Sequence, residues 1–184
     1  MNPSHNLFII GPTGAGKTSI GRRLAVHYGL SFVDLDQQIE QQCGVDVSTV
    51  FEIEGEPGFR QRESMLLDEI SQRTGVLLAT GAGAVLADAN RHHLGERGYV
   101  IWLQTTIAQQ LERLERDQRR PLLAVPDRRE RLHAMAAVRA PIYRDLADLA
   151  VPGEHGSVAD ASERCIALID QHWQRPSASP RQTA

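Results

Sequence analysis

The stretch LFIIGPTGAGKT, residues 7–18, decides how the rest of the chain is read. Four apolar residues, LFII, have the continuity of a strand buried on both faces, and they run straight into a glycine-rich turn. In that turn Gly11, Gly16, Lys17 and Thr18 satisfy the spacing G-x-x-x-x-G-K-[ST], with a further glycine at Gly14. Glycine permits backbone angles that a Cβ forbids. The N–H groups of Gly14, Ala15, Gly16, Lys17, Thr18 and Ser19 can therefore curl inward as a cradle for an anion. The following segment, KTSIGRRLAVHYGL, reads as a helix whose N-terminal dipole adds to the attraction, with Gly29 as its stop. Lys17 is placed to reach the β- and γ-phosphates of a nucleoside triphosphate, and Thr18 to offer its hydroxyl to Mg2+. A chance Lys-Thr after a flexible loop would lack both the strand before it and the helix after it.

Working outward, the chain alternates. Strands are predicted at HNLFII (5–10), SFVDL (31–35), VLLAT (76–80), YVIWL (99–103) and, more weakly, LAVP (149–152), with helical patterns between them. Such alternation predicts an α/β fold of three layers: a parallel sheet of about five strands flanked by helices, with ligands at the carboxyl ends of the strands. The residues of chemical interest do follow strands. The glycine-rich turn follows the first, Asp34 and Asp36 close the second, and Thr80-Gly81-Ala82-Gly83 follows the third. Along an extended strand Asp34 and Asp36 point to the same face, and Asp36 could alternatively cap the helix DQQIEQQ.

Composition narrows the class. A chain of 184 residues with 41% hydrophobic and 23% charged residues is an ordinary globular domain, large enough to bury a core without staples. No apolar run approaches a membrane span, and MNPSHN lacks the basic and apolar regions of a signal peptide, so a cytoplasmic location is expected. Cys43 and Cys165 form no metal or disulfide pattern and are expected to be small, partly buried residues. The seven histidines show no ligand spacing.

Two charged regions stand out. Residues 113–131, RLERDQRRPLLAVPDRRER, hold seven arginines against four acids, with Pro121 and Pro126 breaking any helix. They can be a solvated helix end, a nucleic-acid patch, or a lid of arginines that closes over ATP. A net charge of −3 and an aromatic content of 5% weigh against nucleic acid. In GEPGFRQRE, residues 55–63, Arg60 and Glu63 lie three apart and can pair on one helix face.

Taken in order after the glycine-rich turn, FVDLD (32–36), GEPGFRQRE (55–63), TGAGAV (80–85), RPLL (120–123) and RAPIYR (139–144) resemble the shikimate kinase family. The likeness runs from about Leu7 to about Val151. It implies a P-loop kinase with ATP as co-substrate and Mg2+ as cofactor, phosphorylating the 3-hydroxyl of shikimate to shikimate 3-phosphate in aromatic amino-acid biosynthesis. The resemblance implies that Asp34 holds Mg2+ through water beside Thr18, and that Asp36 contacts the shikimate hydroxyls as the candidate base. Arg60 and Arg139 would bind the substrate carboxylate, with Glu63 orienting Arg60. Arg120 would reach the phosphates from the lid, and Arg113 would pack on adenine. Lys17, Asp36 and Arg120 then form the catalytic set. These roles agree with the chemistry, since a planar guanidinium matches a carboxylate bidentately.

Residues 1–174 are expected to form one kinase domain, with a substrate-binding segment at about 34–63, a lid at about 116–126 and a disordered tail at 175–184. A monomer acting on ATP and shikimate, without nucleic-acid or membrane partners, is expected. A gluconate-type kinase and a non-catalytic, ligand-sensing paralogue are the alternatives, and the second has no need to keep Lys17, Asp34, Asp36 and Arg120 together. One departure is visible: where the family usually has three glycines, this chain has Gly81, Ala82, Gly83. The central methyl either fits at an ordinary dihedral or crowds the ligand, and a left-handed alanine would cost about 1 kcal/mol.

Overall fold

In the computed structural model, which describes residues 4–114 and 127–176, the opening apolar run becomes the middle of the sheet. Strands β1 (Leu7–Ile10), β2 (Ser31–Asp34), β3 (Val76–Ala79), β4 (Tyr99–Leu103) and β5 (Leu149–Val151) are ordered β2-β3-β1-β4-β5, and every pairing is parallel. β1 pairs with β3 and β4, so all four of its residues are fully buried. Its side chains alternate between two cores. Leu7 and Ile9 enter one, packing with residues of α1 (Lys17–Tyr28) and α7 (Val158–His172) such as Leu24, Cys165 and Ile169. Phe8 and Ile10 enter the other, with Leu35 and Ile39 of α2 (Leu35–Cys43), Leu67 and Ile70 of α3 (Val47–Ser71), Leu94 of α4 (Asp88–Arg97) and Tyr143 of α6 (Arg128–Leu146). The three-layer expectation is met.

Local signals hold at several boundaries. Gly29 ends α1 in the left-handed region, at φ 62°, and its N–H returns to the Ala25 and Val26 carbonyls. Asp46 and Ser157 cap α3 and α7 by accepting from the N–H groups of Thr49 and Asp160. Within α3, Gly55 at φ 69° and ψ 179° leaves the helical region and splits the element into two helical runs; Pro57, two residues on, stands in the first turn of the second. That kink opens the segment GEPGFRQRE. Cys43 is partly buried and Cys165 is buried. Among the described residues, no helix is long and apolar enough to cross a membrane.

Candidate active site

The loop after β1 has the conformation its glycines permit. Gly11, Gly14 and Gly16 take φ of 141°, 79° and 88°, and a Cβ on Gly11 would stand 2.4 Å from the Leu103 carbonyl oxygen. α1 begins at Lys17, so the N–H groups of its first turn and its dipole point at the cradle. Lys17 Nζ donates to the carbonyls of Gly11 at 2.8 Å and Pro12 at 2.9 Å, which lays the ammonium across the loop. Arg113, on α5 (Ile107–Leu114), donates to the Gly14 carbonyl at 2.9 Å and so stands at the cradle's edge.

Asp34 ends β2 and joins it to the cradle. Its Oδ2 accepts from Thr18 Oγ1 at 2.6 Å, and its Oδ1 accepts from the Gln37 N–H at 3.2 Å as the N-cap of α2. This corrects two expectations. The strand stops at Asp34 rather than Leu35, so Asp36 lies in the first turn of α2 and not two residues along an extended strand. The cap is Asp34, not Asp36. The physical reason is that Asp34 has extended backbone angles, φ −103° and ψ 121°, which an N-cap requires, whereas Asp36 is already helical.

Beyond the two aspartates lies a buried acid–arginine cluster. Arg60 Nη1 donates to Glu63 Oε2 at 2.6 Å and its Nη2 to Glu56 Oε1 at 3.2 Å, so the three-residue spacing forms its pair. Glu63 has no exposed surface, and Arg139 is 7% exposed. The loop after β3 closes on this cluster without room to spare. A Cβ on Gly81 would meet Glu63 Oε1 at 2.4 Å and Asp36 Oδ1 at 3.0 Å, and one on Gly83 would meet Arg60 Nη2 at 2.3 Å. Both flanking glycines are therefore needed for their lack of a side chain. The central position is different: among the described residues no non-glycine has positive φ, so Ala82 sits at an ordinary dihedral, the first of the two outcomes left open by the sequence. Phe51 and Phe59, with rings 4.5 Å apart, supply an apolar wall.

Burial sets the electrostatics here. It pushes the Glu63 carboxyl up to about 7 against the pull of Arg60, and Glu63 Oε1 has no hydrogen-bond partner to hold the anion. Burial also lowers the Arg139 pKa. Burial opposes the Arg60 charge as well, yet Glu63 and Glu56 carry its pKa above the usual value. Glu63 thus binds its proton more tightly in the folded chain than at its ordinary value of 4.5. The stability this contributes is full below about pH 4.5 and is lost as pH rises through about 7. Glu63→Gln is expected to flatten the fall in stability across that range by about 3 kcal/mol, read from chemical denaturation at several pH values. An unchanged slope would place the titration on another group.

One cleft of about 660 Å3 joins the cradle to the cluster; Lys17, Thr18, Asp34, Asp36, Arg60, Gly81, Ala82, Gly83, Arg113 and Arg139 all line it. Glu63 stands behind Arg60 and is not in the lining. Arg120 and the lid at 116–126 lie outside the described residues, as does most of the 175–184 tail. Sequence reasoning missed the far wall, where Pro152, Gly153, Glu154, Gly156 and Ser157 between β5 and α7 line the end of the cleft beside Arg113. The signal was available, because two glycines after a strand mark the same kind of turn as the loops after β1 and β3. A Cβ on Gly153 would lie 2.3 Å from the Gln104 carbonyl oxygen.

A phosphate cradle and a buried acid–arginine cluster, opened to each other by one cleft at the carboxyl edge of a parallel sheet, define a P-loop kinase for a small anionic acceptor. A family model described as shikimate kinase matches residues 13–170. The shikimate kinase of Stenotrophomonas maltophilia (strain R551-3) is 48% identical over 175 residues, 95% of this chain and 97% of that protein. The shikimate kinase of Actinobacillus succinogenes is 46% identical over 171 residues, covering 92% of this chain and 98% of its own length. The solved structure of shikimate kinase from Acinetobacter baumannii in complex with shikimate superposes with a TM-score of 0.88 at 39% identity, covering 92% of this chain and 95% of that one. The chain belongs to the shikimate kinase family.

Proposed function

We propose that this chain transfers the γ-phosphoryl group of ATP to the 3-hydroxyl of shikimate, giving shikimate 3-phosphate and ADP. The carrying observation is the single cleft, which brings the cradle of Lys17 and Thr18 within reach of Asp36, Arg60 and Arg139. The triphosphate lies on the loop N–H groups with Lys17 turned to its outer phosphates, and the base lies toward Arg113 and the Pro152–Ser157 wall. The substrate carboxylate meets Arg139 and Arg60, whose planar forks suit it, and Asp36 receives the acceptor hydroxyl. Arg120 and the segment 116–126 keep the lid role that their motif implies.

The donors present fit a divalent cation. The Thr18 hydroxyl and the Asp34 carboxylate are hard oxygens 2.6 Å apart at the cradle. Among the described residues no group of three His, Cys, Asp or Glu side chains could hold a metal elsewhere. With Thr18 as the direct protein oxygen and Asp34 acting through water, the rest of the shell is left to water and phosphate, which is the habit of Mg2+. When bound, Mg2+ supplies charge neutralisation at the β- and γ-phosphate oxygens. Acceleration comes chiefly from positioning and electrostatics, without a covalent enzyme intermediate. The same reading takes the enzyme to act in the cytoplasm as a monomer.

A coupled ADP-release assay across shikimate, quinate and gluconate tests this reading; turnover of gluconate in preference to shikimate, or of none of the three, would overturn it. The carboxylate assignment has its own test. Arg139→Ala is expected to raise KM for shikimate by about 10- to 100-fold, the loss of one charge-assisted contact, while calorimetric affinity for the ATP analogue stays within a few-fold. Arg60→Ala should act alike but also unfold more readily, because it leaves Glu63 buried without its counter-charge. An equal loss for both ligands would count against the assignment.

A further inference from the structure

Tyr143 is the one residue of RAPIYR with a polar side chain in the core that no step above uses. It is 2% exposed, its ring lies 5.8 Å from that of Trp102, and its hydroxyl donates to the Ala82 carbonyl at 2.6 Å across 61 residues of sequence. It stands four residues after Arg139 on α6, so the two side chains leave the same face of the helix. Its target is the middle of the loop after β3, whose two neighbours, Gly81 and Gly83, press against Glu63, Asp36 and Arg60.

The peptide plane turns this contact into a constraint on the site. In a trans peptide the C=O of residue 82 and the N–H of residue 83 point in opposite directions, and the described chain contains no cis bond. Fixing the Ala82 carbonyl toward Tyr143 therefore turns the Gly83 N–H to the other side of the loop, the side away from the phenol. Gly83 has no side chain to hold that plane by packing; the Ala84 N–H, donating to the Gly81 carbonyl at 3.2 Å, closes a turn around the Ala82–Gly83 peptide, and the phenol is the tie that fixes this turn to another helix. The phenol is kept neutral, because burial raises its pKa well above the ordinary value against the opposing charge of Arg139. It remains a donor over the whole working range of pH.

We infer that Tyr143 is a positioning residue for the acceptor: through one hydroxyl it locks the plane of the Ala82–Gly83 peptide to the helix that carries Arg139, so that a backbone donor and a guanidinium hold a fixed separation for the substrate. The inference rests on the proposed reading that the acceptor's carboxylate meets Arg139. A purely structural tyrosine would stabilise the chain without favouring one substrate over the other.

Tyr143→Phe keeps the ring and removes only the hydroxyl. Steady-state kinetics are expected to show KM for shikimate raised about tenfold, KM for ATP within about twofold, and a thermal midpoint lowered by a few degrees. The double variant Tyr143→Phe/Ala82→Gly is expected to lose more in KM for shikimate than the two single variants multiplied, because an unclamped glycine frees the peptide plane further. An unchanged KM for shikimate with a lowered midpoint would overturn the inference, as would multiplicative effects or a single variant that does not fold. The parent, measured alongside, keeps the two readings apart: failure of the parent to use shikimate sinks the proposed function, whereas normal parental turnover with an indifferent Tyr143→Phe sinks only the clamp.

Discussion

Replacing Lys17 by alanine is expected to lower kcat by at least about a thousandfold while the chain stays folded. Lys17 Nζ is held by the Gly11 and Pro12 carbonyls, at 2.8 and 2.9 Å, in a loop already shaped by three positive-φ glycines. The ammonium therefore neither fills a core nor sets the loop's backbone angles. Its loss removes a charge aimed into the cradle and leaves two carbonyls to water, which costs little in an open cleft. The check is kcat by coupled ADP release together with a thermal melt. Near-parental turnover would sink the phosphate-contact assignment, and a collapsed melting curve would show that the loop needs the lysine to fold.

Asp36→Asn carries the second large effect, a loss of about a hundredfold or more in turnover with shikimate at unchanged MgATP affinity. The competing explanation, that Asp36 serves to cap α2, is removed by the structure: Asp34 makes the cap, accepting from Gln37 N–H, and Asp36 lies within the first turn, lining the cleft beside Gly81. An amide at position 36 keeps size and hydrogen bonding but cannot take a proton. A loose phosphoryl-transfer transition state asks little of a base, so part of the loss is expected to come from alignment of the acceptor hydroxyl. Turnover within a few-fold of the parent would end the base assignment. A matching loss of MgATP binding would move Asp36 to the nucleotide side.

By itself the sequence determined the phosphate cradle and the Arg60–Glu63 pair, because each depends on residues within a few positions of one another, and the parallel sheet, because strand and helix patterns alternate along the chain. A glycine that must bend, a lysine that follows it, a buried strand that precedes it and a three-residue spacing on a helix are local facts. The five motifs, taken together, also identified the family, which no single motif could do. Tertiary structure decided what local patterns leave open. Whether Asp34 or Asp36 caps α2 depended on where the strand released its backbone, one residue earlier than its apolar run indicated. The helix break at Gly55, the wall at Pro152–Ser157 and the contact of Tyr143 with Ala82 join segments tens of residues apart or turn on angles that composition does not specify. The meaning of Ala82 was equally out of reach. Whether a methyl is tolerated between two glycines depends on which neighbours stand within 3 Å of each position, and Glu63, Asp36 and Arg60 crowd the flanks while the middle turns its carbonyl to a tyrosine from another helix.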